Sequence, residues 1–147
     1  MLEDFAIINE LTETHIDNLL ELYGNETWTK SRTLEDVKAM LKNCHFIAFV
    51  NKNNNEMIAF ARFLSDLVYR AMVYDVIVSI KYRGLGYGRI LLENLVNHPL
   101  LKNVERIELC CLDQNVPLYE KFGFKKVPAP TNFMRKGLAK DLEITPK

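Results

Sequence analysis

The stretch Val76-Ile77-Val78-Ser79-Ile80-Lys81-Tyr82-Arg83-Gly84-Leu85-Gly86-Tyr87-Gly88-Arg89-Ile90-Leu91-Leu92 joins a β-branched apolar run to a helical repeat of leucines through three glycines at alternate positions. Glycine lets a backbone approach a ligand closely and adopt positive φ. The first N–H groups of the following helix have no partner within it, and the helix dipole adds positive potential at that end. Strand, glycine turn and helix N-terminus together form an anion site suited to a pyrophosphate, with Arg83 and Arg89 adding charge at its rim. Two other phosphate-binding turns do not fit. A P-loop requires GxxxxGK followed by Ser or Thr, and no such lysine stands here. A dinucleotide fingerprint requires GxGxxG after the first strand, whereas Gly84-Leu85-Gly86 is followed by Gly88. A glycine turn that binds nothing is the plainer alternative at this point.

Outward from that turn, Ala71 to Ile80 is a long apolar strand, expected to be buried on both faces. A helix carrying Ile90, Leu91, Leu92, Leu95 and Val96 ends near His98-Pro99. Val104 to Leu112 reads as a further strand, and Asn115 to Phe122 as a short helix stopped by Gly123. Phe124 to Val127 and Asn132 to Arg135 read as a final strand pair. Upstream, Phe5 to Asn9 is a first strand. Thr12 or Thr14 caps a helix with apolar positions Ile16, Leu19, Leu20 and Leu22, and Gly24-Asn25 ends it. Thr33, with Glu35 and Asp36 behind it, starts a second helix. His45 to Val50 and Met57 to Leu64 are strands joined through an asparagine-rich turn. The order predicts an α/β fold with a mixed sheet, flanking helices and one central β-α-β unit, in a single domain over residues 1–147.

Apolar residues make up 48% of the chain and charged residues 26%, the balance of an ordinary globular protein. Nineteen basic and nineteen acidic residues cancel, so nucleic acid is an unexpected partner. Cys44, Cys110 and Cys111 are odd in number and form no CxxC pair, and the three histidines are scattered, so neither a disulfide framework nor a metal site is expected. No apolar run reaches the ~20 residues a bilayer requires. The acidic start, Met1-Leu2-Glu3-Asp4, lacks the form of a signal peptide, and a cytoplasmic protein is expected.

Arg83-Gly84-Leu85-Gly86-Tyr87-Gly88 resembles the (Gln/Arg)-x-x-Gly-x-(Gly/Ala) signature of the GNAT acyltransferases. Asp113-Gln114-Asn115-Val116-Pro117-Leu118-Tyr119-Glu120-Lys121-Phe122-Gly123-Phe124 resembles that family's second marker, with Asn115 and Tyr119 four residues apart. The resemblance implies a GNAT-type, mostly antiparallel sheet and an N-acetyltransferase that uses acetyl-CoA as acyl donor. It implies that the backbone of Val78, Ser79 and Ile80 meets the pantetheine arm, that amides from Gly84 through Leu85, Gly86, Tyr87 and Gly88 to Arg89 cradle the pyrophosphate, and that Asn115 touches the cofactor arm. Arg83 stands at the signature's Gln/Arg position. Tyr119 falls where the family places a tyrosine that protonates the leaving thiolate.

A cationic amine must lose a proton before it attacks, and family members use a carboxylate for this, often through water. Asp75, a carboxylate inside an apolar strand, is the first candidate base, on the expectation that burial raises its pKa; Asp66 is the second. No glutamate stands where histone-type members carry theirs. Acceptor-side candidates are Trp28 with Arg32, then Arg62, Asp66 and Tyr69. A small-molecule primary amine is the expected acceptor. Glucosamine-6-phosphate-like or protein and peptide acetylation, and a non-catalytic acyl-CoA-binding module, stand as alternatives, and a homodimer is compatible with the fold.

Overall fold

A computed structural model describes residues 2–137; residue 1 and residues 138–147 of the expected domain lie outside the described residues. The sheet runs in chain order, β1 (Phe5–Ile8), β2 (His45–Asn51), β3 (Met57–Ser65), β4 (Arg70–Val78) and β5 (Arg106–Glu108). The first three pairings are antiparallel and β4 pairs with β5 in parallel. The helices are α1 (Glu13–Gly24), α2 (Leu34–Lys42), α3 (Tyr87–Val96) and α4 (Val116–Glu120). The expected β-α-β unit is therefore β4–α3–β5, inside an open, mostly antiparallel sheet.

Local chemistry accounts for the boundaries. Thr12 caps α1 by accepting from the His15 amide, and the His15 ring accepts from the Thr12 amide in return. Thr33 caps α2 by accepting from the Asp36 amide. In the β2–β3 turn the Asn51 side chain accepts from the amides of Asn53 and Asn54, and Asn55 takes a positive φ of 63°.

Two apolar layers sandwich the sheet. Helices α1 and α2 bury Leu19, Leu22, Tyr23 and Val37 against Ala48, Phe60 and Ile77. On the opposite face Leu91, Leu92 and Leu95 of α3 and Tyr119 of α4 meet Phe49, Ala61, Phe63 and Val73. Fully burying each large side chain contributes about 1.5–3 kcal/mol.

Three expectations are corrected. β4 is not buried on both faces; its burial alternates along the strand, and Tyr74 is 39% exposed. The strand expected over 104–112 is regular only at Arg106–Glu108, since the chain turns away from β4 beyond Glu108. The final strand pair does not form: residues 124–137 carry no strand, and Pro128 and Pro130 offer no N–H to a ladder there. Among the described residues no helix is long and apolar enough to cross a membrane.

Candidate active site

The site begins with an interruption of the sheet. Phe60 pairs with Ile77 and Arg62 with Tyr74, so two steps along β3 match three along β4, and the strand carries one extra residue. Asp75 adopts φ 55° at this bulge, a left-handed conformation that a non-glycine residue holds only when its surroundings enforce it. Across the other edge, β4 pairs with β5 only at Arg70, Ala71 and Met72. From Val73 to Val78 that edge of β4 is parted from β5.

A cleft of about 430 Å³ fills the gap. Val76, Ile77 and Val78 form one wall, Asn115, Leu118 and Tyr119 the other, and Glu26, Trp28, Arg83 and Gly88 complete the rim. A larger groove of about 700 Å³ runs between β1 and the end of α3, beside Ile7, Phe46, Asn94 and His98. None of the candidate residues lines it.

The glycine turn borders the cleft. A short 3-10 turn, Ile80–Tyr82, leads into it, and Gly84 and Gly86 take φ of 76° and 98°. Gly86 is the N-cap of α3 and has no side chain to satisfy the first amides. Among the described residues, none of the amides from Gly84 to Arg89 donates to another group of the protein, the first such bond being Ile90 to the Gly86 carbonyl at 3.3 Å. A Cβ on Gly84 or Gly86 would meet nothing within 4 Å, so the space above the turn is open. A row of unpartnered N–H groups at a helix N-terminus facing open space fits a phosphate group. Of the residues here, Tyr87 contributes only backbone, because its ring is buried and its hydroxyl accepts from the Glu3 amide at 2.7 Å. Arg89 is exposed at the rim.

Arg83 takes a less expected position. Its Nε donates to the Val78 carbonyl at 2.9 Å and its Nη2 to the Glu26 carboxylate, so the side chain spans the cleft. Glu26, in the α1–α2 loop, also accepts from the indole of Trp28 at 3.3 Å. In the sequence Glu26 carries no signal beyond its place two residues before Trp28.

Tyr119 is buried in α4, packed edge-on against Phe124 at 5.9 Å, and its ring reaches the cleft. Burial, with a smaller contribution from Cys111, pushes its hydroxyl up to about 12. Asn115 stands at the start of α4 without a capping hydrogen bond and lines the cleft.

For Asp75 the expectation of a raised pKa is reversed. Burial alone would raise it, but hydrogen bonds from Arg32 and the charges of Arg62 and Arg32 outweigh burial and hold the carboxyl below the usual aspartate value. The carboxylate accepts from Tyr23 Oη at 2.9 Å, Arg32 Nη1 and Nη2 at 2.6 and 3.2 Å, and Arg62 Nε at 2.5 Å. Burial first, then Asp75, pushes the Tyr23 hydroxyl up, so it stays protonated. A carboxylate so engaged is a poor proton acceptor. Arg32, Arg62 and Asp75 thus form one cluster with Tyr23, while Trp28 lines the cleft beside Glu26. Asp66 and Tyr69 do not join them: Asp66 is exposed and accepts from the amides of Val68, Tyr69 and Arg70, organising the β3–β4 turn, and Tyr69 is exposed in the same turn.

Residues 9–124 match the sequence model of the acetyltransferase (GNAT) family. The chain belongs to that family. It is 32% identical over 113 residues to an uncharacterized N-acetyltransferase, ycf52, of Pyropia yezoensis, covering 75% of this chain and 64% of that one. It is 32% identical over 126 residues to the histone acetyltransferase TAP1 of Glycine max, covering 79% of this chain and 54% of that one. A chloroplastic GCN5-related N-acetyltransferase of Arabidopsis thaliana is 27% identical, with 79% of this chain and 52% of that one covered. The chain thus spans between about half and two thirds of the length of these relatives. A solved structure, a putative GNAT-family acetyltransferase from Xanthomonas campestris pv. campestris, superimposes with a TM-score of 0.79 at 25% identity, covering 94% of this chain and 96% of that one.

Proposed function

We propose that the chain transfers an acetyl group from acetyl-CoA to the primary amine of a small molecule. The observation that carries this reading is the parting of β4 from β5 beside the unpartnered amides of residues 84–89. The gap supplies backbone groups of Val76 to Val78 for an extended arm. The helix end supplies donors for a pyrophosphate. The donor molecule, when bound, brings an acetyl group activated as a thioester.

The chain's own residues would do the rest. Val78, Ser79, Ile80 and Asn115 orient the arm, and the glycine-turn amides hold the phosphates. Arg83 turns from Glu26 toward the phosphates, a charge it can pair with equally well. Glu26, still accepting from the Trp28 indole at Oε2, then has Oε1 open in the cleft to take a proton from the incoming ammonium, directly or through a water. It replaces Asp75 in that role because the Asp75 lone pairs are already engaged. Tyr119, kept as a neutral phenol by burial, gives its proton to the departing sulfur. We place this reaction in the cytoplasm, with a chloroplast, the compartment named for the Arabidopsis relative, as the alternative.

The test is thiol release from acetyl-CoA by the purified protein with polyamines, amino sugars, amino acids, aromatic amines and peptides. Turnover is expected with one class. Tyr119→Phe is expected to lower kcat by about 100-fold with donor affinity unchanged. Stabilisation by acetyl-CoA without thiol release from any amine would point instead to a binding module. A protein neither stabilised by acetyl-CoA nor active would refute the reading.

A further inference from the structure

We propose that the acceptor is an amine whose scaffold also carries an anionic group, a carboxylate or a phosphate, held by Arg32 and Arg62. This deepens the acetyl-transfer reading and rests on it. Asp75 is the one carboxylate that pairs with either arginine among the described residues. Tyr23, the fourth member of the cluster, stays neutral. Two guanidinium groups against one carboxylate leave one positive charge uncompensated in a half-buried place. Such a charge favours an anion beside it.

The donors for that anion are present. Arg32 has two of its nitrogens on Asp75 and Arg62 has its Nε there, and each guanidinium carries five N–H groups. The side chains are 28% and 13% exposed, and no buried side-chain nitrogen or oxygen among the described residues lacks a partner. Outside the cluster, Arg32 Nη1 lies 3.9 Å from the Met40 sulfur and Arg62 meets the Cys44 thiol, both weak acceptors that an anion would outcompete at the exposed part of each guanidinium.

The same cluster disfavours a cationic acceptor there. Asp75 accepts four hydrogen bonds, three at Oδ2 and one at Oδ1, and the two guanidinium groups that supply three of them outweigh its charge, so an ammonium or a lysine there would meet net repulsion. The position is apt for a second substituent of the acceptor. Asp75 adjoins Val76, and Arg32 lies in the loop that carries Trp28; both Val76 and Trp28 line the cleft. Tyr74, with Arg62 stacked 4.8 Å above its ring, and Leu64 extend an open apolar margin from the pair.

The test is a binding comparison by titration calorimetry, read with or without turnover. It uses matched acceptors: an amino acid against its carboxamide, and a phosphorylated amino sugar against the unphosphorylated sugar. Whichever pair answers identifies the anion. In that pair the anionic member is expected to bind at least ~10-fold more tightly, as for hydrogen bonds to charged groups. The preference should fall to parity in Arg32→Gln and Arg62→Gln. Arg32→Lys, which keeps the charge and loses the fork, should retain part of it. Equal affinity within both pairs, tighter binding of a polyamine or a lysine peptide, or no binding by any anionic amine overturns the proposal. Thiol release measured on the same samples reports separately on acetyl transfer.

Discussion

Asp75 is where residue-scale chemistry departs most from expectation. An isolated aspartate in an apolar strand reads as a group whose pKa climbs with burial, and nothing local in Val73-Tyr74-Asp75-Val76 signals otherwise. The signal lies 43 and 13 residues away, in Arg32 and Arg62, which only the fold brings to it. Replacing Asp75 with Asn leaves two part-buried guanidinium groups facing a neutral amide, and is expected to cost about 3 kcal/mol in chemical denaturation. The pH dependence follows from the direction of the shift. Because the folded carboxyl titrates below the ordinary aspartate value, its contribution is complete above about pH 4 and is lost as pH falls through the folded value. Unfolding measured between about pH 5 and pH 2 should therefore steepen in the wild type and flatten in Asp75→Asn. Tyr119 behaves oppositely: with its hydroxyl near 12, it should put no alkaline limb on kcat below about pH 10.

Among the elements, the glycine turn was the most legible, because three glycines at alternate positions before an apolar helical repeat constrain both backbone and dipole. The three glycines are not equivalent. Gly86 caps α3 at φ 98°, so Gly86→Ala is expected to destabilise the protein by about 1–2 kcal/mol although a Cβ would meet no atom there. Gly88 lies in the helix, and its Cβ would make an ordinary 3.7 Å contact with Val78. Gly88→Ala should raise stability by about 0.5–1 kcal/mol, read as a higher Tm, and retain donor binding, since the family signature admits alanine there. Helices α1 and α2 were readable from their threonine caps and apolar spacing. The short β5 and the absent final strands were not. Strand patterns in 104–112 and 124–135 report apolar content, whereas pairing depends on whether a neighbouring edge stays within reach.

At the scale of the molecule, donor binding should tie together elements that now touch little across the cleft. With acetyl-CoA at about 100 times its Kd, the Tm is expected to rise by about 5–10 °C in a thermal scan. Failure to rise would break the link between the parted sheet and the ligand. The mixed sheet with its central β-α-β unit was legible from element order alone, whereas the cleft was not, because no residue pattern announces where two adjacent strands separate. That separation has a consequence for solubility. A strand with unpaired N–H and C=O groups at the margin of a sheet is a template for another chain, and proteins that need such groups for recognition run the risk of sticking to one another. Here the unpaired stretch of β4 lies within the sheet, between β3 and the wall formed by Leu118 and Tyr119. An extended small molecule can thread it while a second polypeptide strand, with its side chains, is kept out, so the protein keeps an adhesive backbone without an adhesive surface.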